Sequence, residues 1–537
     1  MAAHRRSLSL RWVLVLCVFS GLLLSLAFPP AGWWFLAWIA LIPWLTALRL
    51  ARGGAALLGS WLGGFVFFGA LCYWLGLFGI SVWLLACLLL GLWLAIWGML
   101  VRHAGRLGAL ARMVAAAVLW TGIEWARGLG PFGFTWGWLG YSQSPALPLL
   151  PVARAFGTLG LSWAIALANA ALAELVVARA RRDGLGAPLA RAAVGLALAA
   201  LSVFGGRAWS LRLPPPGGPE LRAAVVQGSV GGPLTPEDAN VALSLEEQKH
   251  ALDVYERLTI AAARERPALV VWPESAIPVS PEAEAWVAAR LSRVARRSGA
   301  WLIAGGHYLD PQGRTLNSAY LYSPSGNLRA RYDKVKLVPF GEYVPGRSWL
   351  PFLDRYHVRE FDFAAGEVHR ILQAGIISLG PMICFESTFP GISWELARRQ
   401  AQVLVVITND AWFGRTVAAA QHRQIAVLRA AETGRWVLRA ASTGISSIIA
   451  PDGRIVAEAG LFRSQVLAAT IRPVTATQAQ PRWGPAFCWL VAGLSAACVI
   501  APLVLRRGRP AGRSRTRPAR EARPPSPPRR RGQAAPR

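Results

Sequence analysis

Long apolar segments fill most of residues 1–206 and limit the possible folds of this chain more than any other feature. A helix needs about 20 consecutive, mainly apolar residues to cross a bilayer. Seven such segments precede residue 206 and an eighth follows a long polar interval, at residues 11–28, 33–50, 55–78, 82–101, 107–126, 158–177, 189–204 and 485–505. The sequence therefore predicts a multi-pass α-helical membrane domain of about eight spans, in residues 1–206 and 484–505.

The composition also favours a membrane protein with more than one unit. Of 537 residues, 54% are hydrophobic and 25 are tryptophan, and the mean hydropathy is +0.38. Such a chain is too apolar for one soluble domain and too long for a simple bundle. The first segment has the basic start of a signal peptide, but Phe28-Pro29-Pro30 is a poor cleavage site and further spans follow at once. We therefore expect a retained anchor.

The distribution of arginines predicts the orientation of the spans. Basic residues precede the first span and follow the second, fourth and sixth, whereas the loops at 29–32 and 79–81 carry no charge. Because cytoplasmic loops are enriched in Lys and Arg, both termini are predicted to be cytoplasmic, with residue 205 onward on the outer side. The loop between spans five and six departs from this pattern, since it carries Arg127 and Arg154.

The formal net charge of +29 raises the question of a nucleic-acid partner. About a dozen arginines lie in the Pro-rich tail, residues 506–537, which has too few apolar residues to fold alone. A basic tail beside a span binds anionic lipid head groups or enforces topology. We therefore expect a disordered cytoplasmic tail and no nucleic-acid partner.

The polar interval, residues 220–473, has the alternation of an α/β domain. A linker rich in Pro and Gly, residues 207–219, precedes it. Strand-like runs cover residues 221–227, 268–272, 300–307, 317–322, 328–332, 371–384, 403–408, 436–440, 445–450 and 454–457, and helical patterns cover 245–266, 282–297, 392–398 and 418–433. Strands that alternate with helices and hairpins predict a layered α/β sandwich of mixed sheets.

Three polar side chains in this domain each follow an apolar strand: Glu274, Lys334 and Cys384. Ligands of such sheets bind beyond the carboxyl ends of the strands, so the three side chains are predicted to converge. A carboxylate can take the proton of a thiol, and an ammonium can stabilise both a thiolate and an oxyanion. The combination indicates a cysteine nucleophile with a base and a cation.

Cys384 has two further features of a reactive thiol. It is the only cysteine outside the apolar spans, so its domain offers no disulfide partner. It also stands where a strand turns into a helix, whose amino terminus favours thiolate over thiol. Taken singly, Cys384 could be a small buried residue, Glu274 a helix cap and Lys334 a surface charge. Their shared placement at strand ends is what favours catalysis.

Around these residues the sequence resembles the Glu-Lys-Cys signature of the nitrilase superfamily. The motifs are Trp272-Pro273-Glu274, Tyr332-Asp333-Lys334, LVPFGEYVP at 337–345 and ICFE at 383–386. With the flanking spans, WLGYSQ at 138–143 and TNDAWFG at 408–414, the chain up to the Arg-rich tail resembles the apolipoprotein N-acyltransferase family. The resemblance implies a nitrilase-like α-β-β-α sandwich outside the membrane.

The resemblance also implies a two-step acyl transfer. Cys384 would attack a phospholipid ester, typically of phosphatidylethanolamine, and form a thioester. The amine of an S-diacylglyceryl cysteine, at the amino terminus of an apolipoprotein, would then accept the acyl group. Glu274 would act as general base and acid, and Lys334 would stabilise the oxyanion. A monomeric, multi-pass protein of the bacterial inner membrane is implied, with its catalytic domain on the periplasmic side.

Three residues match positions that support the site or bind substrate in the family: Glu342, Glu386 and Phe385. The family often has tyrosine at the position of Phe385, so a hydroxyl role there is lost. The family usually has histidine two residues after the catalytic lysine, and this chain has Lys336. On a strand Lys334 and Lys336 share a face, so either could reach the thiol; alignment of the motif favours Lys334.

Two absences also bear on function. No tryptophan follows Gln227-Gly228, where the family commonly places a lid tryptophan, so the lid contacts are open. The histidines show no metal-ligand spacing and no Gly-rich phosphate loop follows a strand, so neither a metal nor another cofactor is indicated.

Two other functions compete with acyl transfer. A membrane-tethered amidase or nitrilase would use water as acceptor, but one anchor would serve it, whereas eight spans imply lipid substrates. A membrane scaffold or transporter with an inactive enzyme domain would need ionisable residues along a pathway. Within the spans these are few, with Glu124 and Glu174 near span ends.

Overall fold

Residues 7–213 form a set of apolar helices. The computed structural model describes residues 7–52, 54–213, 216–231, 243–347, 362–474 and 483–507, so the tail from residue 508 and most of the segment after Gly228 lie outside it. The helices are α1 (Leu10–Leu26), α2 (Ala37–Ala40), α3 (Ile42–Leu50), α4 (Ala55–Leu71), α5 (Ile80–Ala104), α6 (Ala109–Arg127), α7 (Pro151–Phe156), α8 (Thr158–Arg181) and α9 (Gly186–Ser210). Short 3₁₀ helices join them at Trp34–Leu36, Tyr73–Phe78, Leu139–Gln143 and Leu147–Leu149.

Glycines allow neighbouring apolar helices to approach closely. A Cβ added at Gly64 of α4 would lie 3.0 Å from the Cα of Gly91 on α5, and one at Gly21 of α1 would collide with the carbonyl of Gly63. Small residues are usual at helix contacts in bilayers, where close backbone packing replaces the hydrophobic driving force.

The extramembrane domain contains two six-stranded mixed sheets. Its strands are β1 (Leu221–Gln227), β2 (Leu269–Val271), β3 (Trp301–Leu309), β4 (Thr315–Tyr322), β5 (Leu328–Asp333), β6 (Leu372–Ala374), β7 (Ile377–Ile383), β8 (Val403–Thr408), β9 (Trp436–Ala441), β10 (Ser447–Ile449), β11 (Ile455–Glu458) and β12 (Gln465–Ile471). The orders are β12-β1-β2-β3-β4-β5 and β11-β10-β9-β8-β7-β6. Strands β1, β2 and β3 are parallel in the first sheet, and strands β7, β8 and β9 are parallel in the second.

The sheets pack face to face, with helices on both outer faces. The helices are α10 (Leu245–Ala262), α11 (Ala285–Ser298), α12 (Pro390–Arg398) and α13 (Ala418–Thr433), and α14 (Gly484–Arg507) follows the domain. One apolar cluster lies between the two sheets. A second cluster joins α10 and α11 to the outer face of the first sheet. A third joins α12 and α13 to the second sheet and also includes the apolar helices of residues 7–213. The predicted layered α/β architecture is confirmed.

The number of spans differs from the sequence prediction. By length and composition, five helices of the described chain can cross a membrane: α5, α6, α8, α9 and residues 484–504 of α14. The helices α1 and α4 have 17 residues each. The predicted span 33–50 is interrupted at Leu41, between α2 and α3. There Pro43 lacks the N–H that a continuous helix would use.

One strand was not predicted from the sequence. β12 pairs antiparallel with β1 from Leu221↔Ile471 to Gln227↔Gln465. Its residues alternate irregularly between exposed and buried because it lies at the edge of its sheet. A weak period of this kind does not distinguish a strand from a loop.

Candidate active site

The ends of three strands bring Glu274, Lys334 and Cys384 to one place. Trp272-Pro273 leads from β2 to Glu274, Lys334 follows β5 directly, and Cys384 follows β7 directly. Lys334 Nζ lies 3.6 Å from Glu274 Oε1. The charges of both side chains act on the Cys384 thiol. The residues that the sequence predicted to converge do so.

Glu274 is buried and oriented by two donors. Only 5% of the surface of Glu274 is exposed. Asn317 Nδ2 donates to Glu274 Oε1 at 2.7 Å, and the backbone N–H of Asn409 donates to Oε2 at 2.6 Å. Because both contacts come from donors, they fix the carboxylate while leaving it lone pairs with which to accept a proton.

Lys334 is a buried ammonium held between two carboxylates. Its Nζ donates to Glu342 Oε1 at 2.8 Å, and Asn317 Nδ2 donates to the same oxygen at 3.1 Å. Burial alone would lower the pKa of Lys334, but the charges of Glu342 and Glu274 outweigh it and raise the pKa above its ordinary value. The site therefore contains a permanent cation, and Glu342 and Asn317 determine its position.

The environment of Cys384 differs from the expected one. Burial raises the pKa of the Cys384 thiol well above its ordinary value, and the charge of Glu274 raises it further, whereas Lys334 lowers it. The residue after β7 begins a five-residue 3₁₀ helix, Cys384–Thr388, and α12 starts only at Pro390. The expectation that a helix terminus favours the thiolate is wrong here. The resting group is a thiol, and a base must remove its proton.

Glu386 joins the segment that follows Lys334 to the end of β7, just before Cys384. Its Oε1 accepts from the backbone N–H groups of Val335 at 2.8 Å and Lys336 at 3.1 Å, and its Oε2 accepts from Ile383 N at 2.8 Å. Tyr332 donates its hydroxyl to the same carboxyl group at 2.8 Å. Glu386 is fully buried, so these bonds replace its hydration. It is a positioning residue rather than a group that faces the thiol.

Cys384 itself adopts a left-handed backbone conformation, with φ of +53°. Such a conformation is uncommon for a residue with a side chain and persists where surrounding contacts hold it. The hydroxyl of Ser387 donates to the Cys384 carbonyl at 2.8 Å, and His422 Nε2 lies 2.9 Å from the Ser387 hydroxyl. The side chains of Ser387 and His422 therefore stabilise the backbone conformation of Cys384.

This support continues as a buried polar network that the sequence did not predict. His422 Nδ1 lies 3.2 Å from Asp410 Oδ1, and Arg439 donates to Asp410 Oδ2 at 2.6 Å. Burial opposes ionisation of Asp410, but Arg439 and His422 lower its pKa to about 2. Burial and the charge of Arg439 lower the pKa of His422 below its ordinary value, although Asp410 opposes the shift. The motif TNDAWFG contains Asp410, but nothing in the sequence links it to His422.

The structure separates Lys336 from Lys334. Lys336 Nζ donates to the carbonyls of Gly130 at 2.6 Å and Pro131 at 3.3 Å, in the loop after α6. Lys334 therefore lies alone beside Glu274, in agreement with the motif alignment. Phe385 packs edge-to-face on Phe389, with ring centroids 4.9 Å apart, and contributes an apolar wall.

The apolar helical domain forms the floor of the site. Thr135 donates its hydroxyl to Thr388 O at 2.9 Å, and Tyr141 donates to the same carbonyl at 3.0 Å. Trp136 packs against His422 with centroids 5.6 Å apart, and its indole N–H donates to Gln421 at 2.7 Å. The segment 132–141 thus contacts the 3₁₀ helix that begins with Cys384.

A buried carboxylate, ammonium and thiol at the strand ends of two packed sheets, seated on apolar helices, define a membrane-associated enzyme of the nitrilase class. The Carbon-nitrogen hydrolase family matches residues 222–481, and the Apolipoprotein N-acyltransferase N-terminal domain matches residues 20–171. An amidase of known structure from Nesterenkonia sp. is 21% identical, covers 50% of this chain and 95% of its own, and has a TM-score of 0.36.

Longer similarities define the family more narrowly. The apolipoprotein N-acyltransferase of Geobacter metallireducens is 34% identical over 92% of this chain and 95% of its own length. That of Azotobacter vinelandii is 33% identical over 95% of this chain and 97% of its own. The chain belongs to the apolipoprotein N-acyltransferase family.

Proposed function

We propose that this protein transfers a fatty acyl chain from a phospholipid to the amino-terminal S-diacylglyceryl cysteine of apolipoproteins, through a thioester on Cys384. One observation carries the proposal. The turn that contains Cys384 is hydrogen-bonded to Thr135 and Tyr141 of the apolar helical domain, while its thiol faces Glu274 and Lys334. A nucleophile placed on such a floor suits substrates that remain in the bilayer.

In the first step Glu274 takes the proton of the Cys384 thiol, and the sulfur attacks the ester carbonyl of the phospholipid. Negative charge develops on the carbonyl oxygen, where the ammonium of Lys334 stabilises it. When the tetrahedral intermediate collapses, the carbon–oxygen ester bond breaks and Glu274 returns the proton to the departing alkoxide. The products are a lysophospholipid and an acyl thioester.

In the second step the acceptor amine attacks the thioester carbonyl. Glu274 accepts a proton from the attacking nitrogen, Lys334 again stabilises the oxyanion, and the carbon–sulfur bond breaks. The released sulfur takes the proton back from Glu274, so the resting thiol is restored and an amide is formed. The raised pKa of Cys384 favours this return to the thiol.

We also propose the finer organisation that the sequence predicts. The eight spans would be α1, α2 with α3, α4, α5, α6, α8, α9 and α14. Both termini would be cytoplasmic, and the domain at 220–473 would face the periplasm of a bacterial inner membrane. Arg49 and Arg112 pair with Glu174 at one end of α8, which suits the basic, cytoplasmic side. Phosphatidylethanolamine would be the main donor and the protein a monomer.

Transfer and hydrolysis are distinguished by supplying both substrates. Purified protein is incubated with a fluorescent phospholipid and a diacylglyceryl peptide, and the products are separated. We expect the label in an amide of the peptide, in an amount that matches the lysophospholipid released. Release of free fatty acid without an amide product would identify a membrane-tethered amidase instead.

A backbone contact behind Glu274 gives a second prediction. A Cβ at Gly305 of β3 would lie 2.6 Å from the Cα of Glu274 and 2.6 Å from the carbonyl oxygen of Pro273. Gly305→Ala must displace the base, and we expect transfer to fall by about 10- to 100-fold, since sub-ångström misplacement is costly in catalysis. The rate is measured with the two-substrate assay.

The matched control is Gly391→Ala, in the same domain. No atom lies within 4 Å of a Cβ at Gly391. This variant should keep its activity and its thermal unfolding midpoint. A fully active Gly305→Ala protein would show that the position of Glu274 is less critical than proposed.

A further inference from the structure

Arg154 and Arg207 line a cavity of about 450 Å³ on the opposite end of α13 from Cys384. Four parts of the chain meet there: the segment before and within α7, the end of α9, the end of α13, and the turn after β10. Besides the two arginines, the lining includes Leu147, Leu150, Leu213, Gly434, Pro451 and Asp452. From His422 to Gly434 the helix rises by about 18 Å, so the cavity is separate from the active site.

Arg154 is one of two arginines that break the charge pattern of the outer loops. The other, Arg127, has a structural explanation, because it donates to the carbonyls of Phe134 at 2.8 Å and Trp136 at 2.7 Å. Among the described residues, no hydrogen bond or ion pair joins the side chain of Arg154 to the protein, and its buried Nη1 has no acceptor. An arginine on the outer side without a protein partner calls for a ligand.

A second buried cation, Arg435, lies near Arg154 and strengthens the case for an anionic ligand. Arg435 is 3% exposed and donates to the carbonyls of Ala397, Ala401 and Thr433. Burial lowers the pKa of Arg435 to about 9, and repulsion from Arg154 contributes to the shift. The carboxyl-terminal end of the α13 dipole offsets at most about half of one positive charge of these two arginines. Arg435 therefore has only neutral carbonyl acceptors, and the neighbouring Arg154 Nη1 has no acceptor.

The other charges of the cavity leave it positive. Arg207, on the last turn of α9, is exposed. Asp452 is the one carboxylate among the lining residues given above, and its Oδ2 lies 3.9 Å from Arg454 Nε. Asp452 therefore has its own cation, and the charges of Arg154 and Arg207 remain for a ligand.

The position of the cavity indicates the ligand. Arg207 and Ser210 stand at the end of α9, a candidate span, so the cavity lies at the level of lipid head groups. Leu147 is 42% exposed and, with Leu150 and Leu213, gives the cavity an apolar side. At that depth the available anion is a phosphodiester, which guanidinium groups bind through paired hydrogen bonds. We propose that the cavity binds the phosphodiester head group of a membrane phospholipid through Arg154 and Arg207.

This lipid would be retained at the junction of the domains and would not be the acyl donor, because it lies too far from Cys384. The proposal depends on the proposed membrane orientation but not on acyl transfer. Binding of a ligand to the folded state alone raises its unfolding midpoint. The full chain with Cys384→Ala, stripped of lipid in detergent, is therefore titrated with dihexanoyl-phosphatidylglycerol. The midpoint is then compared with those in dihexanoylglycerol and in inorganic phosphate.

We expect the phospholipid to raise the midpoint by at least about 2 °C. The shift should be lost in Arg154→Gln/Arg207→Gln and mostly lost in Arg207→Gln, which changes an exposed residue and keeps the fold. Arg329→Gln, an exposed arginine on β5, should keep it. Native mass spectrometry should show one retained phospholipid fewer in the double variant. An equal shift in the arginine variants would overturn the proposal. A similar shift with inorganic phosphate would show a simple anion site and overturn the lipid assignment.

Discussion

Replacing Cys384 with serine is expected to lower acyl transfer by a factor on the order of 10⁴ or more. The hydroxyl is a far weaker acid than a thiol, and Glu274 is too weak a base to ionise it in a buried site. The Glu274–Lys334 pair remains in place because the substitution changes one atom. The rate is measured with a fluorescent phospholipid and a diacylglyceryl peptide, in protein shown to be folded by its unfolding midpoint.

The matched control is Cys498→Ser, on α14. Cys498 is a free cysteine within an apolar helix that packs on α5, α6 and α7. It should transfer acyl groups at the rate of the unchanged protein. Substantial activity in Cys384→Ser would mean that the acyl group does not pass through this residue.

Glu274→Gln is expected to reduce transfer by a factor on the order of 10³, because the thiol then has no base. Glutamine keeps the shape of the side chain but cannot accept the proton. The charge of Glu274 raises the pKa of Cys384, so its removal lowers that pKa. Alkylation of Cys384 by iodoacetamide, which needs only the thiolate, should therefore be as fast as before or faster at a given pH.

These opposite effects distinguish a lost base from a damaged fold. Glu284→Gln, at an exposed position just before α11, serves as control and should change neither rate. Slow alkylation together with slow transfer in Glu274→Gln would indicate a disturbed site. Undiminished transfer would show that the base is another group.

The strand ends explain why so much of the site could be predicted. Glu274 and Lys334 follow strands of the first sheet and Cys384 follows a strand of the second, and the packing of the two sheets brings these strand ends together. The buried strands are strongly apolar, and β1, β8 and α13 begin and end where the sequence pattern predicted. Local pattern and chain topology agree at these positions, so the placement of each residue at a strand end could be predicted from the sequence alone.

Packing decided what the sequence left open or got wrong. The choice between Lys334 and Lys336 depended on how the chain leaves β5, and the loop after α6 supplies the carbonyls that bind Lys336. The Asp410–His422 contact joins side chains 12 positions apart and depends on α13 lying beneath Cys384. The thiolate expectation failed because burial and the charge of Glu274 raise the pKa of Cys384, and because α12 begins only at Pro390.

The central claim is that Cys384 carries the acyl group between two lipid-anchored substrates. The direct test is to incubate the protein with a phospholipid of defined acyl chain and no acceptor, and then to measure the mass of the peptide that contains Cys384. The account predicts that one acyl chain is attached there through a bond cleaved by neutral hydroxylamine, and that addition of a diacylglyceryl peptide removes it as an amide. An unmodified Cys384 during turnover, or an acyl group that the peptide cannot remove, would contradict the account.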